Sequence, residues 1–150
     1  MLQTLVRNIV LPLQDFIYPP VCLTCDQLRT ERSSKVCVDC WNRLKPITNT
    51  HPTWQEIKGK FEQAGFVEDV FSCYLFEKEG KLQEIVHLLK YRSIKSVGVE
   101  LGRAIGRCVM RDTCPTDGRA RFASADYLVP VPLHHVKQRE RGYNQSEYLC

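Results

Sequence analysis

Apolar residues recur at helical spacing along several stretches of the chain. Leu2, Leu5, Val6, Ile9, Val10 and Leu13 return every three or four positions, which predicts an amphipathic helix over residues 1–18. "KLQEIVHLLKYRS" repeats the pattern more strongly, with Leu82, Ile85, Val86 and Leu89 on one face and His87 off its centre. "SIKSVGVELGRAIGRCVM" predicts a second such helix, whose apolar face is Val97, Leu101, Ala104, Ile105 and Cys108. "THPTWQEIKGKFEQAG" reads as a helix capped by Thr53 and ended near Gly65. "CVDCWNRLKPIT" reads as a shorter one broken before Pro46. Two stretches carry strand character instead. "FVEDVFSCYLFEKEGK" is dense in Val, Phe and Tyr and turns at Glu79-Gly80. "YLVPVP" follows a turn-rich loop, "CPTDGRARFASADY", and reads as a short buried strand.

Charge changes this picture in one respect. Met1 to Leu89 holds 10 Lys/Arg against 11 Asp/Glu, a net of −1. Lys90 to Cys150 holds 11 against 6, a net of +5. A basic second half suits an anionic partner, a phosphorylated small molecule or a nucleic acid, although a solvated basic surface has the same composition. Arg103, Arg107 and Arg111 recur every four residues. Such a row is either a solvated helix side or a phosphate-holding one.

The 8 cysteines raise the question of compartment. Arg7, Asn8, Gln14 and Asp15 interrupt the N-terminal apolar run, and no small-residue cleavage site follows it. The run is too polar for a membrane span. A reducing cytoplasm is the expectation, with the inner face of a membrane, on which the first helix could lie, as the alternative. There, clustered cysteines bind metal more often than each other. In "CLTCDQLRTERSSKVCVDC", Cys22 and Cys25 form one C-x2-C pair and Cys37 and Cys40 a second. Two such turns can aim four thiolates at one tetrahedral zinc. With every position filled by the protein, no open site remains for a substrate water. The zinc is therefore expected to be structural. Cys73, Cys108, Cys114 and Cys150 lack paired spacing and read as buried or idle thiols. His51 is not needed as a ligand.

The strand "YLVPVP" feeds a basic turn. Pro130 and Pro132 suit a strand end that must turn stiffly. "KQRERG" then sets Lys137, Arg139 and Arg141 against one acid, Glu140. Arginine holds phosphate oxygens bidentately, and Gly142 permits close backbone approach. A helix starting near Tyr143 would aim free amides the same way. The alternatives are a phosphate or pyrophosphate site and a plain basic surface loop.

The run "VPVPLHHVKQRERGYNQSEYL" resembles the signature of the ComF/GntX family: Pro-Val-Pro, a basic stretch, then Arg-Gly-Tyr-Asn-Gln. "LLKY" at Leu88 to Tyr91 and the N-terminal four-cysteine ribbon agree in type and order. The resemblance implies an α/β protein: a zinc ribbon over residues 19–47, then the first part of a type I phosphoribosyltransferase-like fold over 48–150. It implies a part in natural competence, with single-stranded DNA and a competence helicase as partners. It also implies that the loop from His134 to Asn144 lies near the pyrophosphate of phosphoribosyl pyrophosphate. Lys137, Arg139, Arg141, Gly142 and Asn144 are then the candidate contacts. The family's own substrate motif, two adjacent acids before a Thr/Gly turn, is missing. Glu68-Asp69 is followed by Val70, Phe71, Ser72 and Cys73, and it precedes the Pro-Val-Pro run instead of following it. The chain is therefore expected to hold only the first part of that site and no catalytic residue. Phosphoribosyl pyrophosphate would be a ligand only of a longer form. The rival readings are a phosphoribosyltransferase completed by a further C-terminal part and a zinc-ribbon adaptor that binds protein.

Overall fold

The computed structural model describes Val6 and residues 10–67, 70–110 and 125–150. Among the described residues the α-helices are α1 (Leu11–Ile17), α2 (Val38–Asn42), α3 (Pro52–Ala64), α4 (Lys81–Tyr91), α5 (Lys95–Met110) and α6 (His135–Arg141). A 3-10 turn, Gln145–Tyr148, comes after them. Among the described residues, strand pairing is confined to two isolated antiparallel bridges, Val21 with Leu28 and Pro46 with Tyr74.

The helices form where the apolar period demands them. In α4 the buried residues are Ile85, Leu88 and Leu89. Leu88 takes the place expected of Val86, which is only partly covered. In α5 the buried face is Val97, Gly98, Leu101 and Ala104. Both helices run long enough for two apolar turns to meet a neighbour. α3 ends at Gly65 in the left-handed conformation with φ of 72°, as its glycine foretold. Its cap differs from expectation. His51 Nδ1 accepts the Thr53 amide at 3.3 Å, and Pro52 occupies the first turn. Proline's fixed φ starts the helix there and leaves Thr53 inside it.

The ribbon and the α4–α5 hairpin share one interior. Cys22, Val36, Cys40 and Leu44 pack in a single buried cluster with Ile85, Leu88 and Val97. Polar contacts tie the same surfaces. Glu100 on α5 accepts the Ser34 hydroxyl at 2.5 Å and the Lys35 amide at 3.0 Å. Lys81 at the start of α4 donates to the Thr24 carbonyl at 3.2 Å.

Both expected strands fail to form a sheet. Around Tyr74, Ile47 N–H donates to the Cys73 carbonyl (3.2 Å) and Leu75 N–H to the Lys45 carbonyl (2.8 Å), on either side of the Pro46–Tyr74 bridge. Pro46 has no amide to donate, so the ladder does not extend through it. The run from Tyr127 to Val131 takes no regular secondary structure and lies largely in solvent, with Val129 78% and Val131 73% exposed. Its prolines remove two donors, and no described strand lies beside it. Over the described residues the expected α/β arrangement does not form: a four-cysteine N-terminal segment is followed by a mainly helical body. Much of the expected N-terminal helix, Arg111, Cys114 and the turn-rich loop, and the Glu68-Asp69 pair all lie outside the described residues.

Candidate metal centre and the basic segment

The first cysteine pair sits in a tight turn made by local hydrogen bonds. Cys22 N–H donates to the Gln27 carbonyl at 2.8 Å, and Asp26 N–H donates to the Cys22 carbonyl at 2.9 Å. Asp26 closes the turn with φ of 57°, a region that aspartate visits more readily than most residues. The second pair opens α2: Cys37 is its cap residue and Cys40 lies within it. Leu23 N–H reaches the Lys35 carbonyl at 3.1 Å and holds the two turns side by side.

This brings four sulfurs together. The Sγ atoms of Cys22, Cys25, Cys37 and Cys40 all lie within 4.8 Å of one another. Cys22 and Cys40 are 3.9 Å apart, and Cys25 and Cys37 are 3.7 Å apart. A tetrahedron with Zn–S of about 2.3 Å has S–S edges of about 3.8 Å. The spacing therefore fits a zinc tetrathiolate, and none of the described cysteines is in a disulfide. Burial pushes the Cys22 thiol up, but the Thr24 hydroxyl and the amides of Cys37, Thr24 and Cys25 outweigh it and bring it down to about 6. Cys40 goes the other way: burial and the neighbouring thiols push it up to about 12. The two directions agree physically. Thiolates this close repel one another, so without a cation ionisation of Cys22 disfavours that of Cys40. A bound zinc supplies two positive charges and a cross-link between the turns. Lys81 adds another charge nearby; its hydrogen bond to Glu84, with the sulfurs of Cys40 and Cys25, holds its pKa above the usual lysine range. The Cys37 amide donates to Cys22 Sγ at 3.2 Å, one of the outer contacts that orient metal ligands. With four protein thiolates the shell is closed, which makes the site structural.

The basic segment is built differently from its expected form. "HVKQRER" is a helix, α6, and not a loop. His134 caps it by accepting the Val136 amide at its Nδ1, and Gly142 ends it with φ of 74°. Gly142 thus serves as a helix terminator. No α-helix starts at Tyr143; Asn144 instead caps the 3-10 turn, accepting the Ser146 amide at 3.1 Å. Asn144 is 5% exposed, and its Nδ2 donates to the Val131 carbonyl at 3.0 Å. Its amide group is occupied in tying the Pro-Val-Pro run to the turn.

Tyr143 is buried as well, and its hydroxyl donates to the Leu89 carbonyl at the end of α4. Lys95 Nζ lies 5.2 Å from the Tyr143 ring centroid and 5.4 Å from that of Tyr148. Two glycines of α5 make room for this docking. A Cβ on Gly98 would come within 2.8 Å of Tyr148 Cβ, and one on Gly102 would fall on the Leu149 carbonyl. The cations do not converge. Lys137 pairs with Glu140 at 2.8 Å and holds that carboxyl below the usual glutamate range. Arg141 donates to Gln145 Oε1 at 2.9 Å and lies 5.9 Å from the Tyr91 ring centroid. Arg139 is exposed.

Sequence reading missed Glu100, Lys81 and the two α5 glycines. Each acts on residues far away in the chain, so spacing held no signal for them. His87 is exposed, as expected, and meets the edge of Tyr91 at 4.9 Å between centroids. No described helix is long and apolar enough to cross a membrane.

Comparison with known families bears on the metal centre. Residues 13–53 match the family model of the double zinc ribbon domain. Four cysteines of that span make the one cluster described above. No curated protein and no solved structure matches the chain. The metal centre is accordingly a zinc-ribbon site.

Proposed function

We propose that this chain is a ComF-like protein of natural DNA uptake that contacts single-stranded DNA beside a competence helicase. The competence role rests on the resemblance carried by Val129 to Leu149. One observation carries the DNA contact. Tyr91 is 69% exposed at the end of α4, with the Arg141 guanidinium on one side of it and His87 on another. An exposed ring flanked by a cation is what a single strand needs: a base stacks on the ring, and the guanidinium meets the adjoining phosphate. Tyr143 is buried and takes no part. The excess of positive charge after Lys90 supports approach of a polyanion.

The test is titration of the zinc-loaded chain with a labelled oligothymidylate. Tyr91→Ala is expected to weaken binding about tenfold, within the range of about 1–3 kcal/mol for one stacked base. Affinity is expected to fall steeply with salt. Undetectable binding at low salt, or an unchanged affinity in Tyr91→Ala, overturns the reading.

A phosphoribosyltransferase-like enzyme is the second reading, favoured by the run from Tyr127 to Val131. Apolar in sequence and largely exposed, it has a composition suited to a strand. On this reading phosphoribosyl pyrophosphate would meet Lys137, Arg139 and Arg141 only in a longer form of the protein. These 150 residues by themselves are expected to show no turnover of it.

A further inference from the structure

The ribbon and α5 do not close completely on one another. Between them lies a cleft of about 380 Å³, within the range of small-molecule sites. Its lining includes Arg29, Glu31, Trp41, Glu100, Arg103 and Arg107. Arg103 and Arg107 stand one helical turn apart on α5, so their guanidinium groups share one wall. Both are exposed, and neither makes a hydrogen bond or ion pair among the described residues. Arg29 is held in place by its own contacts, from Nε to the Val21 carbonyl at 2.8 Å and from Nη1 to the Glu31 carbonyl at 3.3 Å. The acids oppose this charge only in part. Glu100 already accepts from Ser34 and Lys35, which leaves Glu31 as the one lining carboxylate without a hydrogen bond or ion pair among the described residues. Trp41, half-buried on α2, adds a flat apolar wall.

We infer that this cleft binds a nucleotide, with its phosphate on Arg103 and Arg107 and its base against Trp41. Two guanidinium groups one turn apart can each take a phosphate oxygen pair. An indole is the best of the side-chain surfaces for an aromatic ring or cation. The site lies on residues other than Tyr91, Arg139 and Arg141, so it stands whether or not those contact DNA. Its ligand chemistry, a phosphate ester next to a flat base, is common to a free nucleotide and to one unit of a strand.

The experiment is calorimetric titration of the zinc-loaded full chain with deoxyadenosine monophosphate, and separately with a short oligodeoxynucleotide lacking terminal phosphates. Tryptophan fluorescence is followed in parallel; Trp54, the other indole, is buried at 3% exposure. Quenching on binding, with affinity reduced about tenfold or more in Arg103→Ala/Arg107→Ala and kept in Lys78→Ala, an exposed cation outside the cleft, is expected from loss of a bidentate phosphate contact. Both substituted arginines are exposed, and unchanged zinc content and circular dichroism establish that the double variant is folded. Binding of the monophosphate identifies a free nucleotide as sufficient. Binding of the oligonucleotide alone identifies the strand as the source. No binding of either at millimolar concentration, or binding indifferent to the double substitution, overturns the inference.

Discussion

The two most distinctive motifs of this chain meet opposite fates. The cysteine ribbon puts its motif residues at a chemical centre: four sulfurs, separated by up to 18 residues in sequence, lie within 4.8 Å. The Arg-Gly-Tyr-Asn-Gln segment puts its motif residues into packing. Tyr143 and Asn144 are buried, Gly142 ends a helix, and Arg141 leans on Gln145 and Tyr91. The difference is one of closure. A C-x2-C turn completes its geometry within a few residues and needs only a second copy of itself. An anion loop at the end of a strand needs the sheet around it, and here the preceding run is uncovered. A motif is only as functional as the neighbours that hold it.

Removing the metal should break the comparison most severely. Structural zinc contributes on the order of 10–16 kcal/mol in small ribbons at neutral pH. Chelation, or Cys40→Ser, is expected to unfold the ribbon together with α4 and α5, read as loss of helical circular dichroism. A ribbon that melts alone would separate what the shared interior joins. Acid should act in the same direction. Cys22, whose folded value lies near 6, below that of a free thiol, contributes stability that is complete above the ordinary thiol range. That contribution is lost as pH falls through about 6. Cys40, pushed up to about 12, has the opposite sign in the metal-free chain: its contribution is complete below the ordinary range and is lost as pH rises through 12. Since zinc requires every ligand deprotonated, metal release followed with a chromogenic chelator is expected to increase steadily as pH is lowered.

A smaller effect tests the other region. Tyr143→Ala removes a buried ring and the bond to Leu89, at a cost of about 3–5 kcal/mol. It is expected to release the segment after residue 125 to proteolysis before the ribbon loses zinc. Simultaneous loss of both would show that the two regions are one cooperative unit. Gly102→Ala should be milder. The added methyl meets the Leu149 backbone, which has to move to admit it, at about 1–3 kcal/mol. A thermal melt unchanged by Gly102→Ala would mean that the terminal turn is not held against α5.

Legibility in the sequence followed the range of the interaction. The metal ligands, the C-terminal end of α3 at Gly65 and most of the apolar faces of α4 and α5 are readable, because each depends on residues within a turn or two. The strands were misread because strand character in Val, Phe and Tyr records suitability for a sheet, while forming one requires a partner. "KQRERG" was read as a loop, yet Lys, Gln, Arg and Glu are good helix formers, and His134 and Gly142 supply the two ends. The cleft between the ribbon and α5 was beyond reach. It depends on Trp41 and Arg107 meeting across 66 positions of sequence, which no local pattern announces.

The interior shared by Cys40, Ile85 and Val97 has a consequence for the life of the protein in a cell. A ribbon hung on a linker could lose its ion and leave the rest of its chain working. Here the ion and the helices stand or fall together. Zinc supply then sets how many finished copies exist, and chains made during scarcity would present Leu88 and Val97 to the proteases that clear unfolded protein. Abundance, more than affinity, becomes the quantity through which metal governs whatever this molecule does.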